Sequence, residues 1–172
     1  MRNVSKNFVA IDFETADQGR DSACAVGLVK VFNGKIIKRE SHLIRPPRRT
    51  FIFSYIHGIE WSHVAKKPTF AALWPKLKKS LAGADYLAAH NASFDSGVLS
   101  ACCAAAGVKA LAVPFICTVK LARRAWSIRP TKLPDVCRHL GLKLNHHEAL
   151  SDAEACANIV LAAARDGIAH VG

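Results

Sequence analysis

The chain has 172 residues, of which 24 are Lys or Arg, 13 are Asp or Glu and 8 are His, so its formal net charge is +11. Apolar residues make up 51% and charged residues 22%, which excludes a disordered chain and fits one domain; at this size roughly 70% of the unfolded surface is buried on folding. No run of 18 apolar residues occurs, which excludes a membrane-spanning helix, and the apolar run after the basic start MRNVSKN is broken by Asp12 and Glu14, too soon for a signal-peptide core.

Asn7–Thr15 contains FVAIDF, which reads as a strand buried on both faces. Ala23–Phe32 and Lys35–Ile44 are further apolar runs joined by Asn33-Gly34, a strong hairpin signal. A short basic loop, Arg45–Thr50, follows. Thr69–Leu81 sets Phe70, Leu73, Trp74, Leu77 and Leu81 on one helical stripe. Asp85–His90 reads as a short strand, Ser93–Ala106 as a helix and Val113–Thr118 as another strand. Lys120–Trp126 and Leu133–Leu140 read as short helices, the second stopped by Gly141, and Ala149–Asp166 as a long alanine-rich helix. Strands first, then alternating helices and strands, predict a mixed α/β sheet covered by helices. No repeat, low-complexity tract or linker interrupts it, so residues 1–172 are expected to form a single domain.

The six cysteines form no CxxC pair. Most lie in apolar periodic segments and read as small buried hydrophobes in a reducing, cytoplasmic setting. The basic balance, with pI near 9.7, suits a polyanionic partner such as nucleic acid.

Asp12 and Glu14 lie two residues apart on the first strand, so both carboxylates project from one face while Val9, Ile11 and Phe13 point the other way. Two acids there repel each other and lose solvation, costs that a bound cation would offset; a strand-end turn would carry the same pair. Asp152 heads an otherwise apolar row of the last helix and is expected to face inward. Asp95 follows a strand and opens a helix, where ligand sites concentrate in open α/β sheets. Both also suit a helix start, where a carboxylate favours the macrodipole. Together the four acids could build an all-oxygen site of the kind that hard cations such as Mg2+ or Mn2+ prefer. Two such ions clamp a phosphodiester displacement, and His147, five residues before Asp152, could then take a proton from the attacking water, although as a lone residue it also reads as a loop histidine.

These residues resemble the motifs of a known family. AIDFET, AHNASFD and HHEALSD are similar, in that order, to the three motifs of the DEDDh 3′–5′ exonucleases, which include the proofreading epsilon subunit of bacterial DNA polymerase III. The resemblance covers residues 7 to 165. It implies metal ligation by Asp12, Glu14, Asp95 and Asp152, with His147 rather than its neighbour His146 as general base. The segment His57-Gly58-Ile59, followed by Val64 and Pro68-Thr69-Phe70, matches a stretch between the family's first two motifs. The resemblance puts His57, Thr15, Phe94 and Asn91 around the terminal nucleotide. One departure is the loop Ala16-Asp17-Gln18-Gly19, where the family often has Thr-Gly after its first motif.

The implied fold is ribonuclease-H-like, a mixed five-stranded sheet with an early antiparallel hairpin, flanked by helices. The implied reaction is two-metal hydrolysis of the 3′-terminal phosphodiester, releasing nucleoside 5′-monophosphates. DNA with a single-stranded 3′ end is favoured over RNA as substrate. RNA trimming is the alternative within the class, and a non-catalytic module binding nucleic acid or a polymerase is the alternative outside it. The resemblance also raises a DNA polymerase as partner. The chain reaches Gly172 soon after its last helix, with no long extension as a tether, so a free-standing enzyme is at least as well supported. Arg45, Arg48, Arg49, Lys76 and Lys79 are candidates for phosphate contacts.

Overall fold

The dense apolar run near the N-terminus becomes the middle of the sheet. In the computed structural model, which describes residues 7–168, β1 (Phe8–Thr15), β2 (Ala23–Phe32), β3 (Lys35–Leu43), β4 (Tyr86–Ala89) and β5 (Phe115–Cys117) form one sheet in the order β3-β2-β1-β4-β5. The expectations about a leader at Met1–Lys6 and a tether at Gly172 fall on residues outside that range. β1, β2 and β3 pair antiparallel, while β4 runs parallel to both β1 and β5. Asn33 and Gly34 join β2 to β3 with φ of 49° and 74°, the two positive values that suit a tight hairpin. The result is the expected ribonuclease-H-like arrangement, a mixed five-stranded sheet with an early hairpin and flanking helices.

Alternation along β1 divides the core. Val9, Ile11 and Phe13 pack against α3 (Phe70–Leu81) and α4 (Ala92–Ala105). Phe8 and Ala10 face α5 (Thr118–Trp126), α6 (Leu133–Leu140) and α7 (Ala149–Arg165) on the other side. Asp12 and Glu14 continue this second row toward the end of the strand. The helices differ from the sequence reading mainly by a residue or two at their ends, where capping groups rather than hydrophobic period decide. α6 ends as expected at Gly141, whose φ is 65°. Two four-residue helices, α1 (Ser54–His57) and α2 (Trp61–Val64), were not expected, since one helical turn is too short to show a period.

α7 is rich in alanine, the best helix former, and its small side chains let it lie close to the sheet. Ala153, Cys156, Ala157 and Ile159 are fully buried, as is Asp152 at 3% exposure. Leu150 and Leu161 are half-buried and Ala164 is exposed, so they mark the margin of the buried face. Glu148 caps the helix by accepting from the backbone N–H groups of Leu150 (3.2 Å) and Ser151 (2.8 Å).

The start of α7 rests on bare backbone. Gly27 of β2 lies opposite Asp12 in the ladder, and a Cβ there would stand 2.1 Å from the Ala149 carbonyl oxygen. Gly27→Ala must therefore push α7 off the sheet or shift β2. It is expected to lower stability by about 1–3 kcal/mol, the usual cost of overpacking, measured as a lower melting temperature. An unchanged melting temperature would mean that the contact yields freely.

Candidate active site

Three elements bring the acids together. Asp12 and Glu14 come from the end of β1 and Asp152 from the first turn of α7; one oxygen of each lies within 4.8 Å of the others. Asp152 Oδ2 accepts from the His147 backbone N–H (3.0 Å) and from His146 Nδ1 (2.9 Å). Its Oδ1 is buried without a partner, one of two such side-chain atoms among the described residues. Asp95 stands behind the trio: it is 1% exposed, and its Oδ1 accepts from the Phe13 backbone N–H at 3.0 Å. This bond ties the start of α4 to β1.

The donor chemistry of the trio fits a hard divalent cation such as Mg2+ or Mn2+. The donors are all carboxylate oxygens, and the buried Asp152 Oδ1 has no partner that a ligand would displace. Ligand atoms of His146, His147 and Asp152 also lie within 4.8 Å of one another, a second grouping that would suit a softer ion.

A cavity of about 1020 Å³ opens beside the acids, lined by Asp12, Glu14, Thr15, His57, Asn91, Phe94, His147 and Asp152. Of the sequence-selected site residues, only Asp95 is not in its lining. Asn91 adopts the left-handed conformation (φ 66°, ψ 55°) that Asn tolerates better than most residues, and it turns the chain from β4 into α4. Phe94 is half-buried, with its ring available to the cavity.

The histidines are held differently. His57 Nδ1 accepts from the Ile59 N–H (3.0 Å) and its Nε2 donates to the Thr15 carbonyl (3.0 Å), so both nitrogens are taken and the ring is neutral. His147 has φ of 67°, and its ring stacks on His146 with centroids 3.7 Å apart. That ring makes no hydrogen bond among the described residues. Burial, then the neighbouring His146, holds its pKa below the usual histidine value, so near pH 7 it is neutral and able to accept a proton.

The loop after β1 is clasped in its own way. Ser22 Oγ accepts from the Asp17 N–H (3.1 Å), and Arg48 bridges Asp17 (2.8 Å) and Asp21 (2.6 Å). The Ile52 N–H then donates to the Ala16 carbonyl at 2.7 Å, which brings α1 and His57 beside Thr15. Arg48 is thus an internal clamp rather than an unpaired phosphate contact, and Arg49 lies over the Trp61 ring, 5.2 Å from its centroid. Neither these two nor Arg45, Lys76 and Lys79 line the cavity. The cations that do are Lys120, Arg123, Arg129 and Lys132, which sequence reasoning missed because they are scattered over two elements.

Burial raises the acids' pKa values, and their mutual repulsion adds to it. Glu14 is pushed up to about 8 by desolvation and then by Asp152 and Asp95. Asp95 rises to about 7, chiefly by desolvation, and Asp12 lies well above its usual value for the same reason, with Asp95 as the next cause. Asp152 is raised as well. Because the folded values exceed the unfolded ones, the ion-free folded chain holds protons that the unfolded chain has lost. These groups therefore stabilise the fold less as pH rises from the usual carboxylate range through about 8. A divalent cation reverses the effect by favouring the ionised acids. Mg2+ or Mn2+ is expected to raise the melting temperature more at pH 8 than at pH 5.5, and chelation to remove the difference. Equal shifts at both pH values would contradict this electrostatic account.

Comparisons with known proteins give the family and the fold. A model of the exonuclease family (RNase_T) matches residues 9–160. The chain is 33% identical over 158 residues to a PolC-type DNA polymerase III of Clostridium perfringens, covering 89% of this chain and 11% of that protein. It is also 33% identical over 145 residues to exodeoxyribonuclease 10 of Escherichia coli, covering 79% of this chain and 59% of that one. The chain thus spans about a tenth and about three-fifths of these relatives' lengths. Among solved structures, exonuclease X in complex with 5′-overhanging duplex DNA superposes with a TM-score of 0.76 at 29% identity, over 93% of each chain. The nuclease domain of the DEDDh family member 3′hExo, bound to rAMP, shares the fold with a TM-score of 0.76 at 21% identity. With three motifs in order, a family match along nearly the whole described chain and a shared fold, the chain belongs to the exonuclease family, as its likeness to the DEDDh enzymes implies.

Proposed function

We propose that residues 1–172 act as a single exonuclease domain that hydrolyses the 3′-terminal phosphodiester of DNA and releases nucleoside 5′-monophosphates. The observation that carries this reading is the trio of half-buried Asp12 with buried Glu14 and Asp152, with its unpartnered oxygen, on a cavity that His147 also lines. A non-catalytic binding module would gain nothing from burying these acids together.

Asp12, Glu14 and Asp152, backed by Asp95, would hold Mg2+ or Mn2+. When bound, two such ions supply Lewis-acid stabilisation of the attacking and leaving oxygens. His147 takes a proton from the attacking water; the water oxygen bonds to the terminal phosphorus. The bond from that phosphorus to the preceding 3′-oxygen breaks, and this oxygen gains a proton from solvent. His57 cannot serve as the base while both its nitrogens are engaged, so it forms a fixed wall for the terminal nucleotide beside Thr15. Phe94 offers an apolar face to its base or sugar, with Asn91 at the adjoining edge.

The relatives named as a DNA polymerase III and an exodeoxyribonuclease support DNA over RNA and suggest two settings: attachment to a polymerase, or a free-standing enzyme. Six free cysteines, five of them buried, suit a cytoplasmic protein.

Asp12→Ala and Asp152→Ala are expected to abolish Mg2+- or Mn2+-dependent cleavage of a single-stranded oligonucleotide, with activity read as labelled mononucleotide released from its 3′ end. Undiminished release would sink the metal assignment. His147→Ala is expected to slow release by roughly 10²–10⁴-fold, the usual range for a general base. A loss below about threefold, with a larger loss in His146→Ala, would move the role to His146. Matched DNA and RNA strands are expected to be degraded at different rates, DNA faster; faster RNA turnover would replace the DNA assignment by RNA trimming.

A further inference from the structure

The cavity that the acids line is also lined by a wall of opposite charge. Lys120 and Arg123 stand on α5, and Arg129 and Lys132 on the connection from α5 to α6; all four are exposed and all four line the cavity. Among the described residues, none of them has a carboxylate within ion-pair distance. Arg39, Arg48 and Arg138, by contrast, are each paired with an acid at 2.6–3.3 Å. These four are therefore cations without an internal counter-charge, gathered where a polyanion would enter.

The wall is also held in place. Arg123 Nε donates to Thr131 Oγ1 (2.7 Å), and the Thr131 carbonyl accepts from His90 Nε2 (2.9 Å). His90 Nδ1 bonds Thr118 Oγ1 (2.8 Å) at the start of α5. The histidine at the end of β4 thus fastens both parts of the wall to the sheet edge next to the acids. Cations set on a fixed frame lose less entropy on contact than free lysines do.

We infer that this wall receives the phosphates that precede the 3′-terminal one, so that the strand leaves the acids along α5 and the α5–α6 connection. The direction of the strand rests on the nuclease reading above; the binding of a polyphosphate chain here does not. Arg129 and Lys132 are substrate-holding residues on this view, and His90 is a positioning residue.

The test is equilibrium binding of a fluorescent single-stranded oligonucleotide, with Ca2+ in place of Mg2+, as a function of salt. Each phosphate contact to a single strand contributes about −0.7 to the slope of log affinity against log salt. Arg129→Ala/Lys132→Ala is expected to flatten the slope by about 1.4, so that between 50 and 200 mM salt it loses affinity about sevenfold less than the parent chain. The charge-conserving pair Arg129→Lys/Lys132→Arg is expected to restore the slope, and Lys76→Ala/Lys79→Ala to keep the parent value. An unflattened slope in the first variant, or equal flattening in the Lys76/Lys79 variant, overturns the inference. If Mg2+- and Mn2+-dependent cleavage is absent throughout but the slope flattens, the nuclease reading fails and the wall stands. Cleavage with an unchanged slope means the opposite.

Discussion

Carboxylates crowded out of water are the constraint to which the rest of the structure answers. Burying one ionised acid costs several kcal/mol in effective terms, and placing others beside it adds repulsion. The fold compensates only in part. The Phe13 N–H serves Asp95, and the His147 N–H and the His146 ring serve Asp152, but Asp152 Oδ1 is left without a partner and Glu14 keeps a raised pKa. Stored unfavourable electrostatics of this kind mark places where a charged ligand completes the structure.

The scaffold delivers this crowding by pairing a strand with a helix from the far end of the chain. β1 is central, with β2 and β4 on its two sides, so its end cannot move without the sheet. α7 reaches it because β2 offers no side chain at Gly27. The clasp of Arg48 on Asp17 and Asp21 shapes the loop that carries α1, and through it the orientation of His57. Residues outside the acid trio thereby set its shape and the position of His57 beside it.

Much of this was legible in the residues themselves. Period two on β1 put Asp12 and Glu14 on one face, and helical period turned Asp152 inward, because burial of their apolar neighbours leaves no other choice. Asn33-Gly34 announced the hairpin, and Gly141 the end of α6. Other features were hidden for physical reasons. α1 and α2 are single turns whose form depends on tertiary contacts rather than on period. The tautomer of His57 is set by two backbone groups, one of them 42 residues away. The basic residues of the loop at 45–50 stood out by density in the sequence, yet Arg48 and Arg49 are spent on internal partners. The cations lining the cavity are spread over residues 120–132, and only the packing of α5 against the sheet gathers them.

The seat of α7 on Gly27 has a consequence for how the chain comes into being. A ribosome makes Asp12 and Glu14 well before Asp152, so a growing chain carries the pair of acids at the end of β1 before it has the third member. Until the last helix docks, those two carboxylates stay open to water and cheap to ionise. The crowded trio then arises only in a chain in which β1 and α7 are both in place, so docking of α7 is the step that completes it.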